Sequence, residues 1–265
     1  MSENNSLETS DIIEVYEDNF IKEIKIIPSL IEEYNYIGIS AGYACIEYNA
    51  EVMPKDYDYK AMKMKIDSSK MIQLGVTLAN SKGEYPKDYY YHTWQFNFKF
   101  DKDEDKIAQS SLNLIEKCGI DFTRLKNKGI SHSLFAKYFL VYNLVLNQQV
   151  NWISFHGFYE FGYLIKLLSL QDLPDTEEEF LYLCNIYFIN YYDIKLMLER
   201  IGDLQEGKNN LIQNLEIIKK GRTHQAGKDS FDIIDAFFKL KENGALQEDI
   251  ILNNKNCLFR LNEIK

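Results

Sequence analysis

The sequence predicts an α/β fold in which a central mixed β-sheet is flanked by helices. Strand patterns dominate the N-terminal part, and from residue 107 onward the pattern is mostly helical, with one strand inserted. A sheet and helices that each carry an apolar face bury those faces against one another in layers. No repeat, low-complexity tract or linker divides the 265 residues, so we expect one domain over residues 1–265.

The first elements are an amphipathic helix and a buried strand. Apolar residues recur at the spacing of one helix face at Phe20, Ile24, Ile27 and Ile31. Pro28 falls inside this run and predicts a break or a second start. Residues 36–40 (YIGIS) then form a short apolar run closed by small residues, which is typical of a buried strand that leads into a loop.

A long hairpin follows. Residues 71–80 read as a strand, residues 81–86 (SKGEYP) supply turn residues, and residues 93–100 (TWQFNFKF) alternate. The alternation places four aromatic residues on one face of the strand, and we expect that face to lie on the core: Trp94, Phe96, Phe98 and Phe100.

The remaining pattern is helical at residues 108–117, 131–147, 160–169, 176–188, 210–219 and 230–242. One short apolar strand at residues 152–156 (WISFH) interrupts it.

Composition narrows the function classes. With 30 Lys and Arg against 40 Asp and Glu, the net charge is −10, which argues against bulk binding of nucleic-acid phosphates and against an anionic membrane surface. The four cysteines and four histidines show no spacing typical of a zinc site. No membrane span, signal peptide or transit peptide is visible, so we expect a cytoplasmic or nuclear protein, or one found in both compartments.

Eight segments, in this order, resemble one family. They are YNYIGI (34–39), MIQLG (71–75), GEYP (83–86), TWQFNFKF (93–100), SFH with YEFGYLIK (154–166), YDIK (192–195), HQAGKDS (224–230) and AFFK (236–239). The sequence is similar to the CAF/POP-type poly(A) ribonucleases, the deadenylase subunit of the CCR-NOT complex, over residues 12–242. The segments TWQFNFKF and HQAGKDS are the most specific.

The resemblance implies an RNase H-like exonuclease fold of the DEDD class. In that class four carboxylates hold two divalent metal ions, which activate a water and stabilise the leaving oxygen. The family removes adenylates from the 3′ end of messenger RNA. The resemblance also implies two partners, a NOT-type scaffold subunit and a leucine-rich-repeat deadenylase, with poly(A) RNA as a further possible ligand.

The metal positions that the resemblance implies depart from the family. Ser40 and Gly42 stand where the family has an Asp and a Glu, and Glu160 replaces the third acid, an Asp. Asp229 matches the last metal ligand, and His224 matches the general base. Two of the four carboxylates are therefore absent, one is longer, and one is kept.

Other residues near these positions carry secondary hypotheses. Glu47 and Glu51 follow the first strand, but a rescue of the metal site by either residue would need a rebuilt geometry. The segment 207–211 departs from the family's GLQ-type sequence. Phe155 and Tyr159 either stack on adenine bases or pack in the core.

Three functions follow as hypotheses. The leading one is a catalytically degenerate deadenylase-like protein that serves as a structural or adaptor subunit of a CCR-NOT-type or other assembly, with no cofactor. The second is an active 3′ to 5′ poly(A) exonuclease with an altered ligand set, which would need Mg²⁺ or Mn²⁺. The third is a module that binds poly(A) without cutting it.

Overall fold

The computed structural model describes residues 11–46, 59–87, 91–202, 207–217 and 225–261. Its strands are β1 (Ile12–Val15), β2 (Tyr36–Ala44), β3 (Lys70–Ala79), β4 (Thr93–Asn97), β5 (Asn151–Ser154) and β6 (Tyr191–Asp193). The helices are α1 (Glu17–Ile24), α2 (Ile26–Ile31), α3 (Tyr59–Ser68), α4 (Gln109–Lys117), α5 (Phe122–Lys128), α6 (His132–Val141), α7 (Phe158–Ser169), α8 (Glu177–Tyr187), α9 (Ile194–Arg200), α10 (Lys208–Asn214), α11 (Ala226–Glu242) and α12 (Glu248–Asn253).

The strands form one mixed sheet of six, in the order β1-β4-β3-β2-β5-β6. The central pairs β2–β3 and β3–β4 are antiparallel, whereas β1 pairs with β4, β5 with β2 and β6 with β5 in parallel. Helices cover both faces, so the predicted fold class is confirmed. The predicted hairpin is the β3–β4 pair.

Each face of the sheet carries its own core. The larger cluster joins α1, α2, α6, α7 and α8 to the sheet, and the second joins α9, α10, α11 and α12 to it. The helix α11 approaches the sheet closely, because a Cβ added at Gly75 would lie 1.8 Å from the Ala226 carbonyl oxygen and one at Gly38 would lie 2.6 Å from the Ser230 carbonyl oxygen. Glycine at these two positions lets the start of α11 rest directly on β2 and β3.

The aromatic face predicted for residues 93–100 is buried as expected. Trp94, Phe96, Phe98 and Phe100 are all fully enclosed. The strand itself is shorter than its pattern, because β4 ends at Asn97 and Phe98 forms only a single bridge, to Ile130. The aromatic residues after β4 are therefore placed by core packing rather than by the strand ladder.

Several element bounds differ from the sequence pattern. The first predicted strand continues past residue 40 to Ala44, with a register shift after Gly42. The break near Pro28 lies at Lys25, and Pro28 sits in the first turn of α2, where its missing N–H is not needed. The helix predicted over 131–147 ends at Val141. None of the helices in the described ranges is long and apolar enough to cross a membrane.

Candidate functional site at the end of strand β2

Two of the predicted metal positions lie on the face of β2 that meets α11. Side chains alternate along a strand, so Gly38, Ser40 and Gly42 share one face, and a Cβ at Gly38 would contact α11. Ser40 is buried and pairs with Gly75 across the ladder, and Gly42 pairs with Gln73. A hydroxyl and a hydrogen atom therefore stand where the family's first two carboxylates are expected.

Glu160 reaches the same stretch of β2 from the other side. It lies in the first turn of α7, and two backbone N–H groups, its own and that of Ala41 between Ser40 and Gly42, favour the ionised form of its carboxyl. Its Oε2 is enclosed and has no hydrogen-bond partner. Burial raises the pKa of Glu160 to about 8, although these two N–H groups and the charge of Lys208 act in the opposite direction. The buried position thus favours the protonated form of this carboxyl.

Asp229 is held in an ion pair. It lies in the first turn of α11, and its Oδ2 is 2.7 Å from the Nζ of Lys208, the first residue of α10. Each of the two side chains is only 22% exposed. The charge of Lys208 also acts on Glu160. The group formed by Ser40, Gly42, Glu160, Lys208 and Asp229 is here called the cleft. Sequence reasoning noted the unusual segment 207–211 but did not single out Lys208.

The predicted general base and the two candidate rescue residues are not placed by the structure. His224, Glu47 and Glu51 lie outside the described residues.

The two aromatic candidates for RNA contact lie in different hydrophobic clusters. Phe155 packs against the cluster under α11, whereas Tyr159 packs against the cluster under α7. The ring of Tyr159 stacks on Tyr43 with 5.9 Å between centroids, and Tyr43 stacks in turn on Tyr163 at 4.5 Å. The structure thus does not combine Phe155 and Tyr159 into one stacking surface.

A buried amide network holds the start of α11 in place. Gln95 accepts a hydrogen bond from the Gly227 N–H at 3.0 Å and donates to the Gln225 side chain at 2.9 Å. Gln73 accepts from the Ala226 N–H at 3.4 Å. These side chains satisfy N–H groups that every helix N-terminus leaves unpaired. The sequence pattern that could have indicated this network is the polar face of TWQFNFKF, which includes Gln95 and lies opposite the aromatic residues.

A second buried anchor holds the start of α7. Asp193 is fully buried. Its carboxylate accepts four hydrogen bonds of 2.8–3.1 Å from the backbone N–H groups of His156, Gly157, Lys195 and Phe259. This carboxylate joins the turn before α7, the start of α9 and the C-terminal segment. It therefore positions the helix that carries Glu160.

The donor set of this cleft does not fit a pair of divalent metal ions. Hard cations such as Mg²⁺ require several anionic or carbonyl oxygens, whereas the described part of the cleft offers the enclosed carboxyl of Glu160, one carboxylate paired with Lys208, and a hydroxyl. Within the described ranges, no group of three or more His, Cys, Asp or Glu side chains is arranged to hold a metal ion. We therefore derive no metal-dependent step from these residues.

Comparisons with known proteins agree with the fold and the motif order. A family model described as CAF1 family ribonuclease matches residues 15–138. The probable CCR4-associated factor 1 homolog 7 of Arabidopsis thaliana is 36% identical over 239 residues, which cover 88% of this chain and 87% of that protein. The structure of S. pombe Pop2p with Mg²⁺ and Mn²⁺ bound superposes with a TM-score of 0.88 at 32% identity, covering 95% of this chain and 100% of that one. Yeast CAF1 co-crystallised with the NOT1 MIF4G domain gives a TM-score of 0.80 at 25% identity, covering 94% and 96%. The chain belongs to the CAF1 family of ribonucleases.

Proposed function

We propose that this chain is a non-catalytic member of the CAF1 family that serves as a structural or adaptor subunit of a CCR-NOT-type assembly. The observation that supports this proposal is the composition of the cleft. Ser40 and Gly42 supply no carboxylate, the Glu160 carboxyl is buried, and Asp229 is paired with Lys208. A fold persists without its chemistry because function depends on the site rather than on the scaffold.

Loss of the metal ions raises the energy of the transition state. A metal ion stabilises the developing charge by several kcal/mol, and about 1.4 kcal/mol corresponds to tenfold in rate, so loss of one metal costs on the order of 10³-fold. Without both metal ions, positioning of the RNA is the remaining source of rate acceleration. We therefore expect 3′-adenylate release too slow to distinguish from uncatalysed hydrolysis.

The partner that we propose is a NOT-type scaffold subunit. Yeast CAF1, a structural relative, was crystallised with the NOT1 MIF4G domain. The chain exposes apolar side chains from the end of α6 to α8, here called the α6–α8 surface: Leu140, Val141, Leu146, Tyr182 and Ile186. The Leu146 N–H donates to the Tyr187 carbonyl at 2.8 Å, which joins the loop after α6 to the end of α8. Clustered exposed apolar groups are typical of protein-binding surfaces. A leucine-rich-repeat deadenylase is the second partner that family membership suggests.

A binding experiment tests the scaffold role. We expect the purified chain to bind a NOT1 MIF4G domain. Val141→Asp should raise the dissociation constant by at least about tenfold, because burying a charge in a desolvated contact costs free energy. The matched control is Leu252→Asp on α12, since Leu252 is 59% exposed and Val141 65%. No binding by the wild type, or equal losses for both variants, would contradict the proposal.

Oligo(A) RNA separates the three candidate functions. The adaptor role predicts no shortening with Mg²⁺ or Mn²⁺. The active exonuclease predicts metal-dependent shortening that stops in Asp229→Ala. A non-cutting RNA-binding module predicts binding at low salt that is insensitive to EDTA, without shortening.

A further inference from the structure

The cleft contains a positive charge that no motif predicted. Lys208 begins α10, and its ammonium lies 2.7 Å from Oδ2 of Asp229. Burial raises the pKa of Glu160 and of Asp232, and the charge of Lys208 acts on both carboxyls in the opposite direction. One lysine therefore faces three acids that come from α7 and α11.

The ion pair of Lys208 and Asp229 is less exposed than a typical surface ion pair. Lys208 and Asp229 are each only 22% exposed, so solvent screens their attraction less than it screens an exposed pair. Asp232 has a separate partner, because it pairs with Lys228 one helical turn away. In contrast, the ion pair of Asp229 joins α10 to α11 across the cleft.

We propose that the Lys208 ammonium occupies the cation position of this cleft, balancing the carboxylates and excluding a divalent metal ion. This inference rests on the proposed non-catalytic function and names the residue that maintains it. An Mg²⁺ ion binds carboxylate oxygen at about 2.0–2.1 Å, so it would compete with the ammonium for the same oxygen of Asp229. The two cations cannot share that oxygen without strong repulsion.

This proposal has a consequence that the missing carboxylates alone do not have. Restoring Ser40→Asp, Gly42→Glu and Glu160→Asp would supply the family's four acids, yet Lys208 would still be paired with Asp229. The restored chain should bind metal well only when Lys208 is replaced too. A Cβ at residue 42 would lie 3.3 Å from the Gln73 Cβ, so the Gln73 side chain must shift by a few tenths of an ångström, but no backbone atom lies closer than 3.9 Å.

The experiment compares Mn²⁺ affinity with and without Lys208, in the absence of RNA. The first pair consists of the triply restored protein, which keeps Lys208, and the same protein with the additional change Lys208→Met. Their Mn²⁺ affinities are measured by titration calorimetry or by the electron paramagnetic resonance signal of free Mn²⁺. We expect Lys208→Met to tighten Mn²⁺ binding by at least about tenfold. Lys208→Arg keeps the charge and is the matched control, which should leave the affinity weak. Equal Mn²⁺ affinity in all three proteins would overturn the proposal.

A second pair of proteins keeps the natural residues at positions 40, 42 and 160. This pair tests the proposal even where the restored chain fails to fold. Wild type and Lys208→Met are heated with and without millimolar Mn²⁺. We expect Mn²⁺ to raise the melting temperature of Lys208→Met but not that of wild type. An equal rise in melting temperature in both proteins would overturn the proposal, because Lys208 would then not exclude the ion. Because neither readout involves RNA or a protein partner, failure here leaves the non-catalytic role to be decided separately by the oligo(A) assay.

Discussion

Removal of the Asp193 carboxylate tests the internal support of the cleft. Its Oδ1 accepts from the backbone N–H groups of His156 and Lys195 at 2.8 and 3.1 Å, and its Oδ2 accepts from Gly157 and Phe259 at 3.0 and 3.1 Å. A buried donor left without a partner costs about 1–3 kcal/mol. Asp193→Ala leaves four donors unpaired and should lower the free energy of unfolding by at least about 4 kcal/mol.

The asparagine variant refines this prediction. Asp193→Asn keeps one acceptor oxygen and points its NH₂ group at two donors, so we expect a loss of about 2–4 kcal/mol, between those of wild type and alanine. Urea unfolding followed by the fluorescence of the buried Trp94 and Trp152 gives these values. Asp172→Ala, at a side chain that is 71% exposed, is the control and should cost less than about 0.5 kcal/mol. An Asp193→Ala variant as stable as this control would refute the anchoring role.

Three further predictions concern stability. Burial raises the pKa of Glu160 from 4.5 to about 8, so between these pH values the native state binds a proton that the unfolded state has lost. The contribution of Glu160 to the free energy of unfolding is therefore complete below pH 4.5 and declines up to about pH 8. Urea unfolding over this range should show a slope of up to about 1.4 kcal/mol per pH unit, and an identical slope in Glu160→Gln would contradict this. Gly75→Ala should lower the melting temperature strongly, since its Cβ would meet backbone at 1.8 Å, whereas Gly42→Ala should lower it far less, since its Cβ would come no closer than 3.3 Å to a side-chain atom. Lys166→Met should cost about 1–3 kcal/mol in urea unfolding, because its Nζ donates to two carbonyls of α3 and one beyond it; no loss would contradict this role.

The two central strands β3 and β4 were predicted because each has a long pattern. The alternation of residues 93–100 and the apolar run of residues 71–80 gave the β3–β4 pair. The edge strands β1 and β6 were missed, because each is short and leads within two residues into a helix, whereas the equally short β5 stood out as the apolar run WISFH. Parallel pairing with β4 and β5, which lie far away in the chain, defines these two strands.

Helix ends were harder to predict than helix positions. The apolar pattern of residues 131–147 continues past the end of α6, but Asn143 and Leu146 adopt positive φ angles, which no helix allows. At the other extreme, α11 begins at Ala226, four residues before the predicted start. Its first turn depends on buried amide side chains from β3 and β4, which a local pattern does not reveal.

The candidate site followed from the motif order rather than from any local pattern. Ser40, Gly42, Glu160 and Asp229 were aligned with motif positions, and the structure places β2 and the starts of α7 and α11 around one cleft. Lys208 was missed because its partner Asp229 is remote in sequence and a single lysine carries no signature. The same reason applies to Asp193, whose four partners come from three separate segments.

The most direct test of the central claim is the shortening of a 5′-labelled oligo(A) RNA by highly purified wild-type protein, in Mg²⁺ and separately in Mn²⁺, beside Asp229→Ala. If the chain is non-catalytic, the two proteins should give the same background, with no release of adenylate above the protein-free control. Metal-dependent shortening by wild type that disappears in Asp229→Ala would contradict the account and establish an active exonuclease with an altered ligand set.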